Sequence, residues 1–377
     1  MTDLLTDTMR QRADAIDRPM VDIDAVMKAG DRRRRRRSTL AAAGAAAVCA
    51  IVAVGAVQVV GTSDGAQAPG YADGATFVDR KATYATGSTI HYGDEKIDVG
   101  EEIRSFVQTD DGFVLADPTG QVLFTNGESA RPIGKADEEG RIAADESGSY
   151  VAWVDTSDDG PAEFVVYNTS TSKEIVRTSE GNRPGNGTPV GGVPNVIALD
   201  GEHAYVRNAK GFARIQIPSG HSELLRRGAG NDSEITAVEN GQRLRRVLIG
   251  NPDDGEADSP WPVMRRFGQI DGLLVVAGGR DLSPDAHYVT SDANDSEQLF
   301  DTQTGDEVEL DTSEYGFQAV SQWIDNDTVS LGVLEDPDAA DPDVSMLTCE
   351  VPSGACDVAA EDLPSNIVLP IGGDPRP

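Results

Sequence analysis

"EQLFDTQTGDEVEL", residues 297–310, sets a β-rich run against a second short run across a turn that ends on Gly305. Apolar and β-branched residues flanking an Asp/Thr/Gly turn read as a hairpin. The phrase recurs as "EFVVYNTSTSKEIV" (163–176), "ARIQIPSGHSELL" (213–225) and "SMLTCEVPSGACDV" (345–358). Its turn residues Ser172, Gly220, Gly305 and Gly354 stand 48, 85 and 49 positions apart, so the wide gap holds one weaker unit. Each copy follows an Asp/Gly or Pro-Asp turn and an apolar strand: "DESGSYVAWVD", "LDGEHAYVRN", "LSPDAHYVTS" and "IDNDTVSLGV". Fainter copies lie upstream in "TDDGFVLADPTGQVLFTNG" (109–127) and "KATYATGSTIHYG" (81–93).

A period in the forties with four strands per unit predicts a β-propeller. One four-stranded sheet cannot bury both of its faces alone, so the units must stack about an axis and close. The expected fold is all-β, a propeller of about seven four-stranded blades over residues 76–373, with six as the alternative count. "SPDAHYV" and "FDTQTG" resemble TolB-like and WD-repeat-like propellers. The full WD dipeptide signature is absent, so the resemblance is to the broad class, over about four fifths of the chain.

Ahead of the repeat stands "DRRRRRRSTLAAAGAAAVCAIVAVGAVQVVGTSDG", residues 31–65. From Leu40 to Val60 no residue is charged, and a helix of that length spans about 31 Å, close to the hydrocarbon core of a bilayer. Residues 39–61 are therefore read as one transmembrane helix. Arg32, Arg33, Arg34, Arg35, Arg36 and Arg37 flank only its N-terminal side, so residues 1–38 are expected in the cytoplasm and the propeller outside the plasma membrane. Residues 62–75 read as a flexible stalk. A cleaved signal is the competing reading: Arg36-Arg37-Ser38-Thr39-Leu40 is similar to a twin-arginine signal, and Ala66-Gln67-Ala68 has a small-x-small form. Pro69 directly after that site speaks against cleavage.

The arginine run does not make a nucleic-acid binder. Residues 1–38 carry ten Lys or Arg against seven Asp or Glu, while residues after Gly61 carry 22 against 57. So acidic a surface repels phosphate backbones. Leu4, Leu5, Met9, Ala13 and Ile16 fall at three- and four-residue steps, consistent with a short amphipathic helix that docks a cytoplasmic partner. "MVDIDAVMKAGDRRRRRR" with its Ala/Val-rich span resembles the start of actinobacterial single-pass proteins. Some of these are encoded beside extracytoplasmic-function sigma factors, which implies an anti-sigma-like role for residues 1–38. The His-x-x-x-Cys-x-x-Cys of zinc-binding anti-sigma factors is missing there.

Cys349 and Cys356 flank a hairpin turn, where antiparallel partners come close enough for a disulfide. The same Cys-x-x-x-x-Gly-x-Cys phrase resembles blades of exported actinobacterial propellers. Acidic residues are many but scattered. "DTSDDG" imitates a calcium loop through Asp155, Ser157, Asp159 and Gly160, yet Val166 stands where the loop needs Glu. Asp336, Asp338, Asp341 and Asp343 sit in an acidic loop that reads as solvated. No cofactor or metal site is assigned, with calcium the one ion these loops leave open. His91, His203, His221 and His287 are solitary, and no Gly-x-Ser-x-Gly nucleophile turn exists. "GNRPGNGTPVGGVP" (181–194) lacks the Lys-Ser/Thr of a phosphate loop. Trp153 and Trp323, beside strand residues, are expected in blade cores, while Trp261 is left open between core and ligand rim. With no catalytic residue assigned, the expected function is non-enzymatic: an extracytoplasmic, membrane-anchored scaffold or sensory module binding a protein, peptide or cell-wall ligand. A hydrolase or lactonase with acids gathered at the channel mouth is the alternative.

Overall fold

The middle strands of the repeat are apolar on both sides, as in "GFVLA" and "TVSLGVL", so each must be covered on two faces. The computed structural model describes residues 77–372 apart from 138–140, 146–147, 157–160, 180–193, 209, 228–233, 248–272, 293–295 and 340–341. The tail, the proposed span with Arg32 to Arg37, the stalk, Trp261 and most of loop 181–194 lie outside the described residues. Among the described residues no helix is long and apolar enough to cross a membrane.

The described residues form seven sheets in chain order. The first holds β1 (Thr83–Thr86), β2 (Thr89–Tyr92) and β3 (Glu95–Asp98), and the second β4 (Ser105–Thr109), β5 (Gly112–Ala116), β6 (Gln121–Thr125) and β7 (Arg131–Lys135). The third holds β8 (Ile142–Ala144), β9 (Tyr150–Asp155), β10 (Glu163–Asn168) and β11 (Lys173–Thr178). The fourth holds β12 (Asn195–Asp200), β13 (His203–Asn208), β14 (Gly211–Gln216) and β15 (Ser222–Arg227). The fifth has β16 (Glu234–Glu239), β17 (Gln242–Val247) and β18 (Leu273–Ala277). β19 (Gly279–Leu282), β20 (Tyr288–Ser291), β21 (Gln298–Asp301) and β22 (Glu307–Val308) form the sixth. β23 (Phe317–Trp323), β24 (Thr328–Leu334), β25 (Val344–Glu350) and β26 (Cys356–Leu363) form the seventh.

Strand order follows chain order within each sheet, the antiparallel meander expected of a blade. The first sheet gains its fourth segment from the far end of the chain. Ala85 N–H donates to Val368 O at 2.8 Å and Val368 N–H donates back at 2.9 Å. Six sheets thus have full blade form, which matches the alternative count. The fifth keeps a place between its neighbours but departs from the pattern, because β18 runs parallel to β17. It falls in the wide repeat gap, where the sequence phrase is weakest.

The four repeat phrases are the outer hairpins β10–β11, β14–β15, β21–β22 and β25–β26. Their turn residues all have positive φ: 55° at Ser172, 70° at Gly220, 80° at Gly305 and 72° at Gly354. Asp301 shows why the phrase recurs. Its Oδ1 accepts the N–H groups of Gln303 and Thr304 at 2.7 and 2.9 Å, while Gly305 N–H donates to its carbonyl at 2.8 Å.

Apolar clusters lie between successive sheets rather than within them. Trp153, Val165 and Tyr167 of the third sheet pack on Val114 and Val122 of the second. Val329, Leu331 and Leu347 of the seventh pack with Leu299 and Tyr288 of the sixth. Tyr84 of the first meets Val344, Met346 and Leu363 of the seventh, closing the ring. Each such large side chain contributes ~1.5–3 kcal/mol on burial, several times the worth of one turn hydrogen bond. Stacking between sheets therefore dominates the fold's stability.

Candidate functional site

Around the axis the first strands of the sheets, β4, β8, β12, β16, β19 and β23, surround one cavity of about 430 Å³. In place of β1, residues Pro370 to Gly372 contribute the remaining wall. Four hydrogen bonds hold this wall. Gly372 N–H donates to Phe106 O at 3.0 Å, Ile142 N–H donates to Gly372 O at 2.6 Å, and the Ala85–Val368 pair anchors it from behind.

Charge concentrates on one side of the cavity. Arg246, from β17, places Nη2 at 3.2 and 3.1 Å from the carboxylate oxygens of Asp292. Arg280 Nε lies 3.9 Å from the same carboxylate, and its Nη1 donates to Glu297 Oε1 at 2.9 Å. The other Glu297 oxygen accepts the Val320 N–H, tying the sixth sheet to the seventh. Burial pushes the Glu297 carboxyl above its ordinary range, while Arg280 and the Val320 N–H pull it back. Asp281 keeps some exposed surface, yet enough protein surrounds it that desolvation pushes its carboxyl up to about 6. Partly exposed ion pairs contribute at most ~1 kcal/mol each, and the desolvation of buried ones offsets their attraction. A ladder of four charges in a propeller axis is thus poorly explained by stability.

Some, though not all, of the buried hydrogen-bonding atoms without a protein partner belong to residues of this wall. Gln108 Oε1, Arg246 Nε, Ser321 Oγ and Trp323 Nε1 are buried, find no partner in the protein, and belong to residues that line the cavity. Gln108 is otherwise held, its Nε2 donating to Phe77 O at 2.9 Å.

The residues singled out from the sequence lie elsewhere. Cys349 and Cys356 are directly paired across β25–β26 and bonded, with S–S 2.08 Å and Cα atoms 4.1 Å apart. Asp155 binds Arg177 Nη1 at 2.8 Å, as does Glu163 at 3.0 Å, while Ser157, Asp159 and Gly160 lie outside the described residues. Asp336 and Asp338 are exposed, and Asp341 is outside the described residues. Among the described residues no three His, Cys, Asp or Glu stand close enough to hold a metal. The histidines stay apart: His91 stacks on Tyr84 at 4.4 Å, and His287 contacts Asp301 at 3.2 Å. Trp153 and Trp323 are 0% and 3% exposed, and Trp323 also borders the cavity.

The ladder itself was not anticipated. Its one signal in the sequence is "GGRDL", a charged pair inside a short strand whose neighbours are apolar. The enzyme alternative asks for acids from several blades at one mouth. Those lining the cavity are Glu239 on β16 and Asp281, Asp292 and Glu297 around the sixth sheet, so two adjacent sheets supply them.

No family model and no curated protein matches the chain. Among solved structures it is similar to TolB from Acinetobacter baumannii, at 12% identity and TM-score 0.37, over 76% of this chain and 65% of that one. It is similar also to a protein of Agrobacterium tumefaciens assigned as a TolB (12%, TM-score 0.36, 75% and 91% covered). BamB from Moraxella catarrhalis gives 15% identity and TM-score 0.33, with 67% and 71% covered. At such scores the similarities carry no part of the fold assignment, which rests on sheet order and on the clusters between sheets.

Proposed function

We propose that this chain is a non-enzymatic binding propeller, held outside the plasma membrane by residues 39–61, whose ligand site is the axial cavity. One observation carries the reading: a charge ladder, Arg246–Asp292–Arg280–Glu297, set into a cavity that the first strands of six sheets enclose. Such groups contribute little stability, which favours a role in recognition. The cross-hairpin disulfide agrees with an oxidising compartment, and Arg32 to Arg37 orient the span with residues 1–38 inside. In that arrangement the propeller meets a cell-wall or extracytoplasmic ligand, and the tail relays occupancy to a cytoplasmic partner.

The test uses the full chain with an epitope tag at each end. Protease added to intact cells should remove the C-terminal tag and spare the N-terminal one. Recovery of the chain in the cytosol, or loss of the N-terminal tag first, would overturn the placement. The hydrolase alternative draws support from Asp281, a carboxyl poised near 6 beside Arg280. Ester or lactone turnover abolished by Asp281→Asn would favour it over pure binding.

A further inference from the structure

A molecule in the axial cavity can reach only those lining groups that keep surface of their own. The unpartnered atoms of Gln108, Ser321 and Trp323 keep essentially none. Asp281, on β19, is half-buried and lines the cavity. Its carboxyl accepts the Leu282 N–H, and among the described residues no cationic side chain stands at ion-pair distance from it. The arginines of the wall are answered by other groups. Arg246 pairs with Asp292 at 3.1 Å, Arg280 with Glu297 at 2.9 Å, and Arg80 with Asp110 at 3.6 Å. Arg141 and Glu239, also in the lining, each have partners of their own. The four charges of the ladder cancel, so Asp281 leaves one uncompensated negative charge beside them. Its carboxyl titrates at about 6, so that charge is present at pH 7.5.

A metal ion would ask for several such ligands, and among the described residues no three stand close enough to hold one. An ammonium group asks for less: one carboxylate and neutral acceptors satisfy its three N–H donors. The sheets on either side of β19 supply such acceptors. Thr236 on β16 donates its hydroxyl to Gly279 O at 3.0 Å, and Gln322 on β23 donates its amide N–H to Lys81 O. What each has left for the cavity is acceptor capacity on its side-chain oxygen. On β8 and β12 the half-buried Ala143, Ala144, Ile197 and Ala198 add apolar wall that would cover a hydrocarbon body. At about 430 Å³ the cavity is within the range of small-molecule sites. We infer that the axial cavity binds a small organic cation, an amine with an apolar body, and that Asp281 is its counter-ion. This rests on the reading of the cavity as the ligand site.

Calorimetric titration of the full chain at pH 7.5 tests it. The probes are cyclohexylamine and phenethylamine, with cyclohexanecarboxylate and 3-phenylpropionate as anions of similar body. At least one amine should bind saturably at one per chain, and its Kd should rise about tenfold or more in Asp281→Asn. A chain of formal net charge −32 attracts any cation to its surface, so one-to-one saturation and dependence on Asp281 are what mark the cavity. Asp281→Asn keeps the side chain's shape and removes a desolvated charge. Its melting midpoint at pH 7.5 should be no lower than the parent's, which separates lost binding from lost folding. Amine binding that Asp281→Asn leaves unaltered lies elsewhere on the acidic surface and overturns the inference. Saturable binding of a carboxylate instead, tightened in Asp281→Asn, overturns the cation class and leaves the cavity as the site. If none of the four probes saturates, the class and the site fall together.

Discussion

At the scale of single residues, the ring is tight enough that one methyl group matters. A Cβ on Gly134 of β7 would come within 2.5 Å of the Trp153 indole from the next sheet. Gly134→Ala is expected to lose about 1–3 kcal/mol in urea unfolding, because a rigid ring in a packed cluster cannot give way. Asp281 sets a pH dependence. Its folded-state carboxyl titrates at about 6 against an ordinary value of 3.8, mainly through desolvation. A group raised in this way holds its proton more tightly when folded. Its contribution is present below about pH 4 and is lost as pH rises through about 6. Melting midpoints should therefore fall between pH 4 and 6, and Asp281→Asn should flatten that decline; an unchanged slope would contradict the assignment.

At the scale of elements, the outer hairpin is the unit that repeats, and its legibility has a physical reason. The turn must place a residue at positive φ and satisfy its own backbone groups: Gly fills that place in three hairpins and Ser172 in the fourth, and the Asn168 and Asp301 side chains cap two of the turns. This is why four hairpins could be located from the chain alone. In the seventh sheet the hairpin also carries a disulfide. Cys349 and Cys356 sit at a register position flanked by the Glu350–Ala355 hydrogen bond of 2.9 Å. Cross-linking so short a loop is worth about 2–3 kcal/mol in the chain-entropy model. The Cys349→Ala/Cys356→Ala double variant should be less stable by about that amount. A reductant should shift the parent's unfolding midpoint and leave the variant's unmoved.

At the scale of the whole molecule, one short segment near the C-terminus closes what the repeats begin. Residues 367–372 supply the missing edge of the first sheet and touch β4 and β8 as well. Val368→Pro removes the N–H that Ala85 O accepts and bars a paired strand at that point. The expected loss is about 1–3 kcal/mol, with earlier hydrogen exchange in β1 than in β24. Equal protection of the two strands in the variant would argue that closure does not depend on this segment.

The amino-acid order alone determined the class of fold, the outer hairpins, the disulfide pair and the placement of Trp153 and Trp323 in blade cores. Each follows from local turn chemistry or from short apolar strand runs, which neighbours in sequence decide. The first strands are different. They border both packed sheets and the axial cavity, so apolar and charged residues both occur there, and Arg246, Arg280, Asp281, Asp292 and Glu297 look like ordinary surface charges in a strongly acidic chain. Only closure of the ring brings β17 beside β19, seats Ser321 and Gln108 on one cavity, and assigns residues 367–372 to a sheet that begins near residue 83. Those contacts join positions tens to hundreds of residues apart, and no periodicity along the chain encodes them.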